Sequence, residues 1–439
     1  MKLAPKIFQN KLMKILFISH CFPPWNSIGA VRTGKTAKYL IKHGHDVRVI
    51  SCNNQTLDDN LTLEIPREKV QYTSWMNVNK PIELLLGGGG ISTKSFNLSS
   101  DYLSNCIYSA GTFYKNVLNF PDGQIGWFPF AQHAGLRLIR QWIPDIIFAS
   151  GGPFTSLLVA SSISKKCKIP WVAELRDLWV DNYDWVRPFW RYGIEKKLEH
   201  STLTSASGLV TVSEPMAENL KSKYFNPCKV ITNGFDQEDY LNLPKIPFSK
   251  GIVRIAYTGQ IYNKQQDPSP LFIALQQMGK EREKIRVDFY GRNLEIARKK
   301  MALFNINRLV KFHDSVSHKN SISIQTQSDI LLLFPGHGSS WKGIYTGKLF
   351  EYLGARRPIL NIGNSEGVAA NLIRKCGAGV SLSEPGLIAQ KLNQWIKQKS
   401  DKGEIPPLPL SVGEGYTREE QTEKLSRFLH SCLENPDST

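Results

Sequence analysis

A chain of 439 residues, 41% hydrophobic and 21% charged, is longer than one core ordinarily organises and predicts two or three globular domains. Its net charge of +17 favours anionic partners in general, namely phosphorylated ligands, membrane headgroups or nucleic acid, but no zinc-finger, RNP or basic-heptad pattern supports the last, so none is expected. The seven cysteines, Cys21, Cys52, Cys106, Cys167, Cys228, Cys376 and Cys432, are scattered, odd in number and without a Cys-x-x-Cys pair, which argues against a disulfide framework or a zinc cluster and fits a reducing cytoplasm.

In chain order, the basic start carries only a short apolar run, Ile15 to Ile18, and no small-residue cleavage site, so no signal peptide is expected. Residues 1–12 read as a loose extension. No segment reaches the roughly 18 apolar residues of a spanning helix, so membrane contact is expected to be peripheral. The first half then alternates apolar, β-rich runs (Lys14 to Ser19, Val47 to Ser51, Ile146 to Ala149, Trp171 to Glu174, Leu209 to Val212) with helical ones such as Arg32 to Lys42. That alternation predicts a parallel sheet covered on both faces. Between Asn53 and Ala131 the pattern blurs. This stretch, with Ile82 to Leu86, Gly87 to Gly90 and the aromatic run Asn119 to Phe130, reads as an insertion forming a binding or membrane-proximal face, with core packing an equal alternative. Asn233-Gly234 is a turn signal, and Leu241 to Gly251 reads as a linker. A second series follows: Val253 to Tyr257, Arg286 to Tyr290, Leu309 to Phe312, Ile330 to Phe334, Pro358 to Asn361 and Gly379 to Leu382. The expected fold is therefore α/β, with two doubly wound Rossmann-like domains facing a central cleft: residues 1–240, residues 252–415, and an amphipathic tail helix within 416–439.

Gly29 to Thr36, GAVRTGKT, spells a Walker A pattern. Its context is wrong, because CFPPWNSI with two prolines separates it from the preceding strand, and no Walker B segment accompanies it. The alternative is a glycine turn opening the first helix, with Arg32 beside the exposed amides and Lys35 on a helix surface. No Asp-x-Asp triplet and no metal-ligand histidine spacing occur, so no metal is expected. Trp171 to Asn182 runs from a strand into a charged loop bearing Glu174, Arg176, Asp177 and Asp181, placed either at a ligand-binding strand end or in a structural Arg–Asp pair.

Gly343 to Leu360 breaks a local rule. Lys348 falls in the first turn of a short helix, where the helix dipole disfavours a cation, and a bound anion meeting it together with the amides of Gly347 and Lys348 would repair the conflict. Glu351 follows on the same face. A surface Lys–Glu pair is the plainer alternative.

Taken together, KILFISHCFPPWNSIGAVRTGKTAKYLIKHGHDVRVIS, PDIIFASGGPFT, PWVAELRDLWVDN, GLVTVSEPM, KVITNGFD, IAYTGQIY and TGKLFEYLGARRPIL resemble, in order and spacing, a retaining family 4 glycosyltransferase of the GT-B fold, of the bacterial polysaccharide-biosynthesis type. The resemblance implies a nucleotide-diphosphate sugar donor, a UDP-sugar first, bound by the second domain without a required cofactor or metal. Glu351 would hold the ribose, while Thr346, Gly347 and Lys348, with Gly259 and Lys264, would lie by the diphosphate. Gly29 would face donor and acceptor, Arg32 and Arg176 would line the acceptor side, and Arg176, Asp177 and Lys348 would serve catalysis. It further implies a saccharide or lipid-linked saccharide acceptor and a tail helix crossing back to the first domain, while the spread basic charge favours an anionic membrane surface as partner and, with the unpaired cysteines, a cytoplasmic, peripheral location. The sequence departs from the family in three places. Gly343 replaces the first glutamate of Glu-x7-Glu, Gln260 replaces the arginine of Gly-Arg, and Arg176 stands where many relatives carry histidine. A non-catalytic nucleotide-sugar-binding scaffold, a nucleotide-sugar epimerase and a P-loop NTPase are the alternative functions.

Overall fold

The computed structural model describes residues 11–53, 55, 57–80, 114, 116–182, 188–243, 251–261, 266–336 and 343–434. The chain divides into two compact units, one comprising residues up to Ile231 together with those from Thr422 onward, the other Thr232–Gln421.

The first unit is a parallel sheet of β1 (Lys14–Ile18), β2 (Asp46–Cys52), β3 (Val70–Thr73), β4 (Ile146–Ser150), β5 (Trp171–Leu175), β6 (Gly208–Thr211) and β7 (Cys228–Val230), in the order β3-β2-β1-β4-β5-β6-β7. Phe17 stands opposite Val49 on one side and Phe148 on the other. Every residue of β4, β5 and β6 is buried, which is why these strands read as continuous apolar runs and not as alternating ones. Because β1 pairs with both β2 and β4, the strand order reverses there, and the C-terminal edge between β1 and β4 is the place where such sheets bind ligands. The tail forms a helix, Arg418–Glu434. Its Leu425, Leu429 and Cys432 join the core of Phe17, Val49, Phe148 and Val172, matching the amphipathic pattern of the sequence.

The second unit is a parallel sheet of β8 (Val253–Thr258), β9 (Ile285–Tyr290), β10 (Val310–His313), β11 (Ile330–Leu333), β12 (Ile359–Ile362) and β13 (Gly379–Leu382), ordered β10-β9-β8-β11-β12-β13. Its switch point is between β8 and β11. Alternate residues of β11 serve opposite cores: Ile330 and Leu332 join Tyr257 and Phe289, whereas Leu331 and Leu333 join Leu349, Phe350 and Leu353. Two apolar layers thus sandwich the sheet. The fully buried Lys399 ammonium meets Asp329 at 2.6 Å, and the same carboxylate accepts the Arg254 N–H at 2.8 Å, so the buried charge is paired and hydrogen-bonded as burial demands.

The aromatic run Asn119 to Phe130, open between a binding face and core packing, supplies both kinds of residue: Trp127 is fully buried and its indole N–H donates to Thr73 Oγ1 at 2.7 Å, whereas Phe130 is exposed. Thr232 to Tyr240, the last residues of the expected domain 1–240, group with the second unit. Phe235 N–H donates to the Tyr416 carbonyl at 3.1 Å, and the Tyr240 hydroxyl donates to the Glu351 carbonyl at 2.7 Å. Lys35, expected on a surface, is buried against Glu64 at 2.7 Å. Ile82 to Leu86, Gly87 to Gly90 and most of the linker Leu241 to Gly251 lie outside the described residues.

Candidate functional site

The strongest cluster in the second unit forms where β8 ends and the helix Gly347–Ala355 begins. Thr346 is its N-cap, with extended backbone, yet its hydroxyl caps no amide and is buried without a partner. The first turn holds no acidic residue, so the helix start keeps unpaired N–H groups and their partial positive charge. Lys348 adds a cation there. Its ammonium donates to the Tyr257 hydroxyl at 2.7 Å and the Gln260 carbonyl at 3.3 Å, and it sits 4.4 Å from the Tyr257 ring centroid. Among the described residues no carboxylate comes within ion-pair distance of it. Burial pushes its pKa down from 10.5 to about 8, against the pull of the negative Glu351, because a desolvated ammonium is disfavoured.

The glycine at the end of β8 is explained by this lysine. Gly259 has φ +133°, and a Cβ there would lie 2.0 Å from Lys348 Cε. Only a residue without a side chain lets the lysine cross the strand end at this conformation. Its N–H donates to the Tyr290 carbonyl at 2.7 Å.

Glu351 lies one turn on and is held from a second helix, His318–Gln327. Gln325 Nε2 donates to one carboxylate oxygen at 3.0 Å, and His318 Nε2 stands 3.4 Å from the other. Gln325 Nε2 also reaches Thr258 Oγ1 at 3.0 Å, which ties the carboxylate to the end of β8. Burial alone would raise the Glu351 pKa, but His318, Gln325 and the charge of Arg418 together hold it below the ordinary value, so the group is a fixed anion and acceptor. The structure therefore brings Gly259, Thr346, Gly347, Lys348 and Glu351 together. Lys264 lies outside the described residues. Tyr257, His318 and Gln325 were missed by sequence reasoning. In the sequence Tyr257 is one more apolar strand position, and His318 has no neighbour at metal-ligand spacing, so neither carries a local signal.

In the first unit, a smaller cluster gathers at the switch point between β1 and β4. The Arg176 guanidinium donates through Nε to the Gly151 carbonyl at 2.9 Å and through a second N–H to the Gly152 carbonyl. A Cβ on Gly29 would lie 2.2 Å from Arg176 Nη1, so that glycine is also set by a close approach. Gly29 and Arg176 thus meet, and Asp177 is exposed beside them. Buried Asp122 accepts from the Thr155 N–H at 2.9 Å and the Thr155 hydroxyl at 2.7 Å. Its pKa is raised by burial, with those bonds opposing.

Arg32 is placed differently from the expectation. It is buried, with its Nε and one Nη donating to Glu174 Oε1 at 3.1 and 2.7 Å and the same Nη donating to the Ile231 carbonyl at 2.8 Å. Ser150 Oγ donates to the other Glu174 oxygen at 2.6 Å. A desolvated carboxylate requires such partners, and this pairing gives Arg32 a structural role in holding Glu174. The Walker-like letters also lose their chemistry. Helix Ile28–Lys42 contains all of Gly29 to Thr36, and Ser27 Oγ caps its start by accepting the Ala30 N–H at 3.1 Å, so no loop of amides surrounds a phosphate.

Residues 103–239 match the family model described as Glycosyltransferase Family 4. The fold is similar to Anabaena HepE solved in complex with UDP-glucose, at TM-score 0.60 and 14% identity over 95% of this chain and 100% of that one. It is likewise similar to sucrose-phosphate synthase from Thermosynechococcus elongatus, at TM-score 0.60 and 11% identity over 97% of each chain, and to a glycosyltransferase from Rickettsia africae, at TM-score 0.59 and 15% identity over 97% and 99%. No curated protein matches by sequence.

Proposed function

We propose that this chain, a GT-B protein matching glycosyltransferase family 4 over residues 103–239, moves a sugar with retention from a nucleotide-diphosphate sugar to a saccharide or lipid-linked saccharide acceptor in cell-surface polysaccharide biosynthesis. One observation carries the donor half of this reading. An ammonium without a carboxylate in contact among the described residues stands on a helix start whose cap hydroxyl is buried and unpartnered, one turn from an immobilised carboxylate. An anion is the natural complement of the first group and a polyol of the second.

Charge grows on the diphosphate as the glycosidic bond to it breaks. The Lys348 ammonium and the Gly347 and Lys348 amides are arranged to meet that charge, a part a divalent ion takes elsewhere, which supports a reaction without a required metal. Glu351 accepts hydrogen bonds from the ribose hydroxyls, and the contacts from His318 and Gln325 fix its orientation before the donor arrives. The leaving phosphate takes the acceptor's proton, so no protein base is needed. Arg176 and Asp177, at the ligand-binding edge of the first sheet, are assigned to the acceptor side. A UDP-sugar is the first choice of donor, in keeping with HepE, whose structure holds UDP-glucose. Among the described residues no helix is long and apolar enough to cross a membrane, and a peripheral position on the inner face of the cell membrane is part of the same proposal.

The test is to incubate the purified chain with a panel of nucleotide sugars, with and without membrane extract and a chelator, and to measure the nucleotide released. Acceptor-dependent release from one donor is expected. Binding without release across the panel would replace the proposal with a scaffold. Donor converted to its epimer with no acceptor present would replace it with an epimerase.

A further inference from the structure

Lys348 holds one more proton than its neighbours use. An ammonium carries three N–H groups. Two go to the Tyr257 hydroxyl at 2.7 Å and the Gln260 carbonyl at 3.3 Å, and among the described residues the third meets no partner. Both acceptors are uncharged, and a neutral amine, which keeps two N–H groups, still serves each of them. Loss of the third proton therefore breaks no hydrogen bond. The Tyr257 hydroxyl stays an acceptor in either case, because its own proton goes to the Gln260 carbonyl at 2.7 Å.

The surroundings loosen that third proton. Tyr257 is fully buried and its ring packs against Phe289 and Phe334, so Nζ, 4.4 Å from the ring centroid, has an apolar wall on that side. Burial lowers the Lys348 pKa to about 8, with the negative charge of Glu351 opposing. Glu351 is itself drawn on by His318, Gln325 and the charge of Arg418. Tyr352, in the same helix, stays neutral because burial raises its pKa. In mildly alkaline solution the amine gives up its spare proton unless an anion stands beside it.

We propose that capture of the donor diphosphate is coupled to uptake of a proton by Lys348, with Tyr257 as the positioning residue that holds the amine in place in both protonation states. The inference rests on the donor reading given above. A diphosphate beside Nζ favours the charged form and gives the third N–H its acceptor. The proton comes from solvent, and the bond formed is the third N–H of the ammonium. Donor affinity is then full below pH 8 and is lost as pH rises through the Lys348 value of about 8, because above it binding must first recharge the amine.

UDP is titrated into the full chain by calorimetry at pH 7.5 and pH 8.5, where its own phosphates stay ionised, and at pH 8.5 in buffers of different ionisation enthalpy, whose heats count the protons exchanged. Affinity is expected to fall about threefold over that interval, with uptake of about 0.7 proton per UDP at pH 8.5. Lys348→Met, titrated at UDP concentrations raised to suit its weaker affinity, abolishes both effects. Tyr257→Phe keeps the ring and the burial but removes the charge-assisted bond that favours the ammonium, so the fall steepens to about eightfold, a change in pH profile that a purely structural role would not cause. UDP binding without proton uptake at pH 8.5, uptake that survives Lys348→Met, or a pH dependence unchanged in Tyr257→Phe overturns the inference and leaves the donor site standing. Failure of the wild type to bind UDP at either pH overturns the donor reading and the inference with it.

Discussion

Replacing Lys348 by methionine separates what the site does for stability from what it does for binding. The folded protein holds this ammonium with a pKa of about 8 against 10.5 in the unfolded chain. At about 1.4 kcal/mol per unit, keeping it charged at neutral pH costs up to about 3 kcal/mol. Solvent reaching the half-buried side chain and the hydrogen bond lost to Tyr257 reduce the net gain on removal to about 1–2 kcal/mol. The Tyr257 hydroxyl keeps a partner, because it donates to the Gln260 carbonyl at 2.7 Å. Lys348→Met is therefore expected to raise the melting temperature of the free protein at pH 7 by about 2–8 °C and to weaken UDP binding by about 30- to 100-fold through the lost charge-assisted contact. The sign with pH follows from proton counts. Between pH 8 and 10.5 the unfolded wild type binds more protons than the folded form, so the wild type gains stability as pH rises and the variant's advantage closes toward pH 10. Calorimetry across pH, with UDP titration calorimetry at pH 7, tests both halves. A variant that melts lower than wild type at pH 7, or one that binds UDP unchanged, would refute the reasoning.

Glu351→Ala is expected to weaken nucleotide-sugar binding about 10- to 100-fold, read by titration calorimetry; unchanged affinity would remove Glu351 from the site. The lowered pKa of Glu351 means that its stabilising contacts are present above the ordinary glutamate pKa and are lost as pH falls through the lower folded value, so the Glu351→Gln variant should lose less stability than wild type on acidification, checked by melts below pH 5. Gly259→Ala should cost about 2 kcal/mol or more in stability, through its positive φ and the collision with Lys348, and should lower donor affinity as well; a wild-type melt would contradict the close approach. Arg32→Met leaves the buried Glu174 carboxylate with the Ser150 hydrogen bond and the more distant charge of Arg176 only, with an expected loss of about 3–5 kcal/mol in denaturant unfolding. A normal melt with weakened acceptor use would restore Arg32 to the acceptor side.

The strands were legible because a buried parallel sheet needs near-continuous apolar runs, and Ile146 to Ala149 or Ile330 to Leu333 have no other stable use. Short edge strands such as β3 and β7 were not, since a few half-exposed residues carry little pattern. Burial of Trp127 could not be told from surface exposure, because an aromatic in an irregular stretch has no period to assign its face. Arg32 shows the same gap for a charged residue. One-dimensional spacing put it near a ligand edge, and only the fold revealed Glu174, far along the chain, as its partner.

At the Lys348–Glu351 cluster, local and tertiary determinants divide cleanly. The sequence by itself determined that Lys348 sits in a helix's first turn with Glu351 one turn on, because helical spacing is a local property and a cation at that end is locally unfavourable. Only the tertiary structure decided that Gly259 makes room for the lysine, that Tyr257 and the Gln260 carbonyl hold it, and that His318 and Gln325 aim the carboxylate. Those contacts join β8 and two helices across long stretches of chain. They depend on how the sheet brings strand ends to one edge, which no local pattern encodes.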